Sequence, residues 1–306
     1  MKPKVFIDGR EGTTGLQIHN RLTGRSDIEL LSIDDELRKD VVEREKLLNE
    51  ADLVFLCLPD TAAFEAVSLV HNDKTKIIDA STAHRTSKKW AYGFPELSKE
   101  HLDRIADSRF VANPGCHATG IIAASYPLIK LGIMPLDYPL CAFSITGYSG
   151  GGKAMIHSYS EEKTFDMFAP RMYALDLKHK HLPEIMYVTG LNTPPLFCPV
   201  VDDYYAGIAT TIMLHRKMLC VPQTAIGIRD ILSEYYQYRY SERSHQITVA
   251  RELGSGMLSG NWGVDSNAMK LTVSGNDDLI IVTAQFDNLG KGASGAAVQN
   301  MEIMLN

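Results

Sequence analysis

The sequence predicts an α/β protein whose first part folds around a doubly wound parallel sheet. Short apolar segments alternate there with helical patterns, which is the order that produces parallel strands. The segment 53–59 is apolar almost throughout, as in strands that are covered on both faces. The segment Lys4–Asp8 is followed at once by a glycine-rich turn and an amphipathic helix over Leu16–Leu22. The other elements predicted in this part are strands at Ile28–Ile33, Lys76–Ser81 and Phe110–Ala112, and a helix over Thr61–Val70.

The alternation ends after a predicted helix over Ala118–Leu131, where Pro135 and Pro139 flank a break. Two apolar strands near the end of the chain are joined by the turn Gly275–Asp278, which predicts a hairpin. The predicted elements here are strands at Cys141–Thr146, Pro199–Val201, Ala206–Leu214, Lys270–Val273 and Leu279–Phe286, and helices over Thr224–Arg239 and Gly292–Met301.

The composition is that of an ordinary globular protein. The 306 residues suggest two domains, and the formal net charge of −6 does not indicate binding to nucleic acid or to an anionic membrane. No apolar run is long enough to span a bilayer, and the first residues lead into a strand rather than a signal peptide. The sequence therefore predicts a cytoplasmic protein with no nucleic-acid partner and no membrane partner.

The cysteines indicate a reducing compartment. The five are odd in number and scattered, and no two form a CxxC pair. This pattern argues against a disulfide framework and against a structural zinc site. We therefore predict no metal site, and we expect thiols that remain reduced.

Cys116 is the candidate nucleophile. It follows Pro114-Gly115 at the junction between the predicted strand Phe110–Ala112 and the helix predicted after it. Free backbone N–H groups and the helix dipole at such a junction favour the thiolate, which is the reactive form. Gly115 also lets another molecule approach the turn, because glycine has no Cβ. The alternative is a buried structural cysteine at a helix start.

The turn Gly9–Gly15 is the candidate dinucleotide site. Its glycines are spaced GxxGxxG between a strand and a helix, a context in which backbone N–H groups cradle a pyrophosphate. The alternative is an ordinary strand-to-helix turn. Asp34 and Asp35 end the next strand, where an acidic side chain would bind the ribose 2′-OH of NAD. Arg10 and Arg38 could instead bind the 2′-phosphate of NADP, so the local sequence leaves this choice open.

Two further segments carry candidate binding residues. His179 and His181 are two residues apart, and a single histidine is enough to serve as the base partner of a thiol. The alternative for this pair is an exposed basic tract. The loop Gly147–Lys153 can approach a ligand closely, and Lys153 could meet a phosphate; the alternative is a flexible connection.

Together these motifs resemble those of the short form of the N-acetyl-gamma-glutamyl-phosphate reductases. The resemblance covers almost the whole chain in the family's order, and its Pro-Gly-Cys, His-x-His-x-Pro-Glu-Ile and Asn-Leu-x-Lys-Gly-Ala pieces are specific. Ala83-His84-Arg85 departs from the family, because the long form has an Asp-Phe-Arg type segment there. The matching segments are Gly9–Gly15, Tyr92–Leu97, Asn113–Cys116 with Thr119, Ser149–Lys153, His179–Ile185 and Asp287–Gly295.

The resemblance implies two domains and an activity. A Rossmann-type nucleotide-binding domain would comprise residues 1–115 with 287–306, and an α+β catalytic and dimerisation domain would comprise 116–286. This combination is similar to that of aspartate-semialdehyde dehydrogenases. The implied activity is the NADPH-dependent reduction of an acyl phosphate to an aldehyde in arginine biosynthesis, by a homo-oligomer that is a dimer or a tetramer.

The resemblance also implies roles for individual residues. Cys116 would form a thioester and His179 would act as acid and base, with His181 as the second choice and as a substrate contact. Arg85 and Lys153 would bind the phosphate or the α-carboxylate of the substrate. The final helix would return to the nucleotide domain, with Asn288 and Gly292 near the nicotinamide. NADP(H) would be bound by Gly9, Gly12, Thr13, Thr14, Gly15 and Asn288.

Three other functions remain open at this stage. The first is a related acyl-phosphate reductase acting on aspartyl or aminoadipyl phosphate, although the His-x-His-x-Pro-Glu-Ile segment argues against the aspartyl enzyme. The second is a cysteine hydrolase that uses Cys116 and His179, in which the dinucleotide turn would have no role. The third is a non-catalytic NADP-sensing module, which would tolerate the loss of Cys116.

Overall fold

The computed structural model describes residues 1–237, 246–252, 254 and 256–306. The strands are β1 Lys4–Asp8, β2 Glu29–Leu30, β3 Leu53–Leu56, β4 Lys76–Asp79, β5 Ala91–Tyr92, β6 Phe110–Ala112, β7 Cys141–Gly147, β8 Arg171–Met172, β9 Leu196–Asp202, β10 Ile208–His215, β11 Ile247–Val249, β12 Met269–Gly275 and β13 Leu279–Phe286. The α-helices are α1 Thr13–Leu22, α2 Val41–Glu50, α3 Asp60–Ser68, α4 Lys99–Asp107, α5 Cys116–Lys130, α6 Gly152–Ser160, α7 Leu182–Thr189, α8 Ala225–Gln237 and α9 Gly295–Met304.

The described chain divides into two compact units. The first unit comprises Met1–Pro114 and Ala293–Asn306, and the second comprises Gly115–Gly292. Residues 287–292, which the sequence prediction assigned to the nucleotide-binding domain, lie in the second unit. No helix in the described ranges is long and apolar enough to cross a membrane.

A parallel sheet forms the centre of the first unit. Its six strands lie in the order β2-β1-β3-β4-β6-β5, and every neighbouring pair is parallel. Alternate strand residues enter two separate apolar clusters, because successive side chains of a strand point to opposite faces. Val5 packs with Ile18 of α1 and Met301 of α9, whereas Phe6 packs with Leu48 of α2. Helices therefore cover both faces, which confirms the predicted doubly wound α/β arrangement.

The second strand is shorter than predicted. A strand over Ile28–Ile33 was expected, but only Glu29 and Leu30 pair, with Lys4 and Val5 of β1. The Leu31 N–H still bonds to the Val5 carbonyl, but no residue after Leu30 belongs to the strand, although β1 continues to Asp8.

Two helices of the first unit were not predicted, although both have a capping residue in the sequence. The Asp40 side chain accepts the Glu43 N–H at the start of α2, and the Ser98 side chain accepts the His101 N–H at the start of α4. Such caps satisfy backbone donors that the first turn of a helix leaves open. Capping signals would therefore have located both helices.

A buried ion pair joins α2 to the end of β1. The Arg44 guanidinium donates to Asp8 Oδ2 through Nη2 at 2.9 Å and through Nε at 3.2 Å. The two side chains are only 8% and 5% exposed.

We expect Arg44→Met to lower the free energy of unfolding by about 3–5 kcal/mol, because it leaves a buried carboxylate without its partner. Urea unfolding measures this change.

The exposed pair between Lys46 and Glu43 on the same helix provides the matched control. Lys46→Ala should change the stability little, since exposed ion pairs contribute little. A loss for Arg44→Met no larger than that for Lys46→Ala would contradict the structural role of the buried pair.

A mixed sheet forms the centre of the second unit. In the described part of this unit its strands lie in the order β11-β12-β13-β10-β7-β9-β8. The pairs β12/β13, β13/β10, β10/β7 and β9/β8 are antiparallel, whereas β7/β9 and β11/β12 are parallel. Helix α5 packs closely on this sheet at Gly120, where a Cβ would lie 2.6 Å from Thr210 Cβ of β10.

The predicted elements of the second unit are present, most of them with shifted ends, whereas β13 has the predicted ends. The helix expected from Ala118 begins at Cys116. The Gly115 carbonyl already accepts the Thr119 N–H, and this bond closes the first helical turn. The expected helix Thr224–Arg239 corresponds to α8, and Tyr238 and Arg239 lie outside the described residues. The elements β8, β11, α6 and α7 were not predicted.

Candidate active site

Cys116 is the first residue of α5. The preceding Gly115 has an extended backbone, with φ −78° and ψ 145°, and its carbonyl accepts the Thr119 N–H at 2.8 Å. The N–H groups of the first turn have no partner within the helix, so they favour a negative charge at its start. Gly292 lies against this cysteine, since a Cβ at position 292 would be 3.0 Å from Cys116 Cβ.

Cys116 lines a cavity, and the segment 173–181 supplies much of the wall of this cavity. The cavity has a volume of about 200 Å³, and its lining includes Tyr173, His179, Lys180 and His181. Both histidines are buried, whereas Lys180 is exposed. His181 is the residue that precedes α7, so the pair lies in a loop and neither in a strand nor in a helix. The structure therefore brings Cys116 and the two predicted histidines to the same cavity.

The two histidine rings of this cavity differ in their hydrogen bonds. Their centroids are 4.6 Å apart, and the His181 backbone N–H donates to His179 Nδ1 at 3.2 Å. Neutral His179 therefore carries its proton on Nε2. Burial, and secondarily the charge of Lys180, lowers the pKa of His179 to about 4, so the ring is neutral at pH 7. His179 thus presents an N–H donor.

Glu184 links the start of α5 to His181. Its Oε2 accepts the Gly115 N–H at 3.2 Å, and its Oε1 lies 4.0 Å from His181 Nε2. This carboxyl group is buried on α7. A carboxylate beside an imidazole orients the ring and stabilises its protonated form.

His117, the residue after Cys116, belongs to a buried polar chain. Its Nδ1 is 2.7 Å from Ser144 Oγ and its Nε2 is 2.6 Å from the Tyr173 hydroxyl. Ser144 Oγ in turn lies 2.8 Å from Thr210 Oγ1. Burial lowers the pKa of His117 to about 3, so this ring is also neutral at pH 7. The chain runs from β10 through β7 to the cavity.

The segment 147–151 forms another part of the cavity wall, and its glycines line the cavity. Asn288 supports this segment, because its Nδ2 donates to Ser149 Oγ at 3.0 Å and its Oδ1 accepts the Gly207 N–H at 2.7 Å. Lys153 follows on α6, where its side chain is exposed.

The glycine-rich turn of the first unit allows a close approach to its backbone. Gly9 has φ +87°, and a Cβ there would lie 2.4 Å from the Cys57 carbonyl oxygen. A Cβ at Gly15 would lie 2.4 Å from the Gly9 carbonyl oxygen. Neither position can carry a side chain without moving the backbone.

The start of α1 provides donors at the same turn. Gly12 precedes the helix, and Thr13 and Thr14 are its first residues. In the described part of the chain the buried Thr13 hydroxyl oxygen has no hydrogen-bond partner. A spare O–H donor beside the open N–H groups of a helix start suits a phosphate, so these residues fit the pyrophosphate of a dinucleotide.

Three candidate arginines lie outside the lining of the cavity. Arg38 is exposed, whereas Arg10 and Arg85 are held by other protein groups. Arg10 Nη2 lies 3.1 Å from Asp35 Oδ1 in an ion pair at the surface. Arg85 is buried, and it donates to the Asn113 carbonyl at 2.9 Å and to the Ala80 carbonyl at 3.1 Å. Arg85 thus fixes the backbone that leads to Pro114.

Comparison with known proteins connects these features to a family. Residues 10–105 match the family described as semialdehyde dehydrogenase, NAD binding domain, and residues 116–288 match semialdehyde dehydrogenase, dimerisation domain. The N-acetyl-gamma-glutamyl-phosphate reductase 2 of Pseudomonas putida is 46% identical over 308 residues, covering 99% of this chain and 97% of its own length. The chain belongs to the N-acetyl-gamma-glutamyl-phosphate reductase family.

Other relatives and solved structures agree. The N-acetyl-gamma-glutamyl-phosphate reductase of Trichormus variabilis is 45% identical over 315 residues, covering 99% of this chain and 97% of its own. Aspartate semialdehyde dehydrogenase II of Vibrio cholerae has a TM-score of 0.73 at 16% identity, covering 100% of this chain and 99% of that one. At that identity the likeness concerns the fold alone, and it confirms the predicted similarity to aspartate-semialdehyde dehydrogenases.

Sequence reasoning missed four residues around the cavity of this N-acetyl-gamma-glutamyl-phosphate reductase family member. His117, Lys180 and Glu184 lie beside or inside the motifs that carried the resemblance, but only the cysteine and the histidines of those motifs received catalytic roles. Tyr173 lies outside every motif, so no local pattern pointed to it.

Proposed function

We propose that the protein reduces N-acetyl-L-glutamyl 5-phosphate to N-acetyl-L-glutamate 5-semialdehyde and phosphate with NADPH, in arginine biosynthesis. The observation that carries the proposal is the cavity in which Cys116, at a helix start, meets two histidines and a lysine. Relatives at 41–46% identity over almost their whole lengths bear the name of this reductase, which supports the substrate.

Cys116 is the nucleophile in this proposal. Its thiolate attacks the carbonyl carbon of the acyl phosphate, the bond between that carbon and the phosphate oxygen breaks, and a thioester and phosphate remain. The thiol proton passes to a histidine. The negative oxygen that forms during the attack accepts hydrogen bonds from donors such as the Cys116 backbone N–H.

The contacts support His181 over His179 as the acid–base group, although the family motif favoured His179. The Nδ1 of His179 already accepts a backbone N–H, so its Nε2 carries a proton and cannot take another while that bond lasts. His181 has the Glu184 carboxylate 4.0 Å from its Nε2, which stabilises the ring when it gains a proton. His181 then accepts the thiol proton and returns one to the product.

His179 and Lys180 suit the anionic groups of the substrate. The Nε2–H of His179 can donate to an oxygen, and Lys180 adds an exposed cation to the cavity wall. Lys180 thus takes precedence over Lys153 and Arg85 as the contact for the phosphate or the α-carboxylate. Lys153 lies on the exposed surface of α6, and Arg85 donates to backbone carbonyls.

The turn from Gly9 to Gly15, with Thr13 and Thr14, would hold the pyrophosphate of NADP(H). When bound, NADPH supplies the hydride that reduces the thioester. Arg10 would bind the 2′-phosphate, since its ion pair with Asp35 places its guanidinium beside the segment that follows β2. Asn288 acts by shaping the cavity wall, because both of its polar groups bond to the protein.

Arg10→Ala should weaken NADPH binding about 10–100-fold, because one charge-assisted contact to a phosphate is lost. NADH binding should stay unchanged, since NADH has no 2′-phosphate. Fluorescence titration of both cofactors measures the two affinities without turnover. Arg38→Ala is the matched comparison. A larger effect in Arg38→Ala would transfer the contact to Arg38, and a wild-type preference for NADH would overturn the choice of NADPH.

The protein is also proposed to be a homo-oligomer in the cytoplasm. The description of the matched family as a dimerisation domain supports association, and Phe165, Phe168 and Met172 expose large apolar surfaces on the same unit. The free cysteines suit a reducing compartment.

The test is an assay of NADPH oxidation with N-acetylglutamyl phosphate. We expect rapid oxidation with this substrate and little with aspartyl phosphate or aminoadipyl phosphate. A preference for aspartyl phosphate or aminoadipyl phosphate would identify that compound as the substrate instead. Hydrolysis of an acyl donor without NADPH consumption would favour a cysteine hydrolase.

A further inference from the structure

The polar chain formed by Thr210, Ser144, His117 and Tyr173 contains one more proton than its internal hydrogen bonds use. Each of the three hydroxyls carries a proton and the neutral ring of His117 carries one, which makes four. The groups are joined by three contacts, of 2.8, 2.7 and 2.6 Å. One of the four protons must therefore point away from this polar chain.

Burial decides which group keeps the spare proton. Within the described ranges Ser144 is the sole hydrogen-bond partner of the Thr210 hydroxyl, and both side chains are 0% exposed. A spare proton on Thr210 or Ser144 would be a buried donor without an acceptor, which carries the full cost of desolvation. In the remaining arrangement Thr210 donates to Ser144, Ser144 donates to His117 Nδ1, and His117 Nε2–H donates to the Tyr173 oxygen. The spare proton is then on Tyr173, which lines the cavity.

We propose that the Tyr173 hydroxyl donates a hydrogen bond to a substrate oxygen in the Cys116 cavity, and that Thr210, Ser144 and His117 hold it in that orientation. The oxygen is the carbonyl oxygen that becomes negative when Cys116 attacks, and its identity as part of an acyl phosphate rests on the proposed function. Tyr173 is a catalytic residue in this proposal. The other three are positioning residues that act through it.

The surroundings of Tyr173 keep its hydroxyl protonated and its backbone fixed. Burial, and secondarily the charge of Cys116, raises the pKa of Tyr173, so the group remains a donor at pH 7. The Tyr173 N–H donates to the Pro199 carbonyl at 3.2 Å. The next residue, Ala174, has φ +51°, a strained conformation that persists only where the surrounding structure holds it.

Kinetics of single and double variants test the donor. Tyr173→Phe should lower kcat about 10²-fold, the usual effect of removing one oxyanion donor, with KM little changed. Ser144→Ala should lower kcat by a smaller factor, on the order of 10-fold, because it releases the orientation and keeps the donor. In the Tyr173→Phe background, Ser144→Ala should have no further effect, since a positioning residue acts only through the group it positions.

Two substitutions of buried residues that do not belong to this polar chain serve as controls. Tyr138→Phe removes a hydroxyl that accepts the His215 N–H, and Ser125→Ala removes one that donates to the Ile121 carbonyl. Both should keep the wild-type kcat. If Tyr173→Phe keeps it too, Tyr173 is not a donor. If Ser144→Ala lowers kcat equally in both backgrounds, its role is structural and the positioning chain is wrong.

The ¹⁵N spectrum of the free protein tests the proton arrangement without any substrate. For His117 we expect a protonated Nε2 and an unprotonated Nδ1, and the opposite tautomer would overturn the inference. Failure of the wild-type protein to oxidise NADPH with N-acetylglutamyl phosphate would instead count against the proposed function, and the spectrum would still decide the orientation of Tyr173.

Discussion

Cys116→Ser should abolish reductase turnover, lowering kcat by at least about 10³-fold, because loss of the nucleophile in covalent catalysis costs up to about 10⁶-fold. A serine hydroxyl is ionised far less readily than a thiol, so the first covalent bond would form too slowly. NADPH affinity should stay close to that of the wild type, because the candidate pyrophosphate site is the turn from Gly9 to Gly15. The measurement pairs steady-state turnover with titration of NADPH.

The exposed thiol of Cys220 provides the control for this substitution. Cys220→Ser should keep full activity, and only variants that retain Cys116 should lose activity on alkylation. Substantial turnover in Cys116→Ser would exclude the thioester route. Absence of turnover in the wild type itself would instead leave open a non-catalytic, NADP-sensing module.

His181→Asn should lower kcat/KM by about 10²–10⁴-fold, the range that a general acid–base group contributes. His179→Asn should cost less, since it removes a hydrogen-bond donor and leaves proton transfer intact. Thermal unfolding of both variants checks that the fold survives. If His179→Asn were the more damaging change, the acid–base role would return to His179, as the family motif suggested.

The pH dependence of these variants gives an independent check. His179 has a pKa lowered to about 4, so it stays neutral between pH 5 and pH 8 and produces no limb there. Any acid limb that the kcat/KM profile shows between pH 5 and pH 8 should therefore persist in His179→Asn. Loss of that limb in His179→Asn would refute the assignment to His181.

Much of the fold could be predicted because its signals are local. The strand Leu279–Phe286 was predicted with its observed ends, since a four-residue turn and an apolar run define it. The edge strand Glu29–Leu30 was overestimated, because its length depends on how far its neighbour pairs with it. A sequence window does not contain that partner.

Only those cavity residues that belong to sequence motifs could be predicted. Cys116 and the histidine pair came from motifs, but the proton position on His179 depends on a backbone N–H that the loop geometry directs at it. Tyr173 reaches the cavity from a segment in which Ala174 and Leu177 have positive φ. Neither is a glycine or an asparagine, so the sequence carries no sign of that conformation.

The first unit is assembled from two pieces of chain that the ribosome makes far apart in time. Ala297, Met301 and Met304 of the last helix fill the same apolar cluster as Val5 and Ile7 of the first strand. Residues 115–292 are synthesised between these pieces, which takes roughly 10–40 s at about 5–20 residues per second. During that interval the nascent first unit exposes the apolar face that this helix later covers, whereas the second unit is continuous and can complete its core first. Chaperones that bind apolar surface should therefore associate with the nascent chain through its first 114 residues.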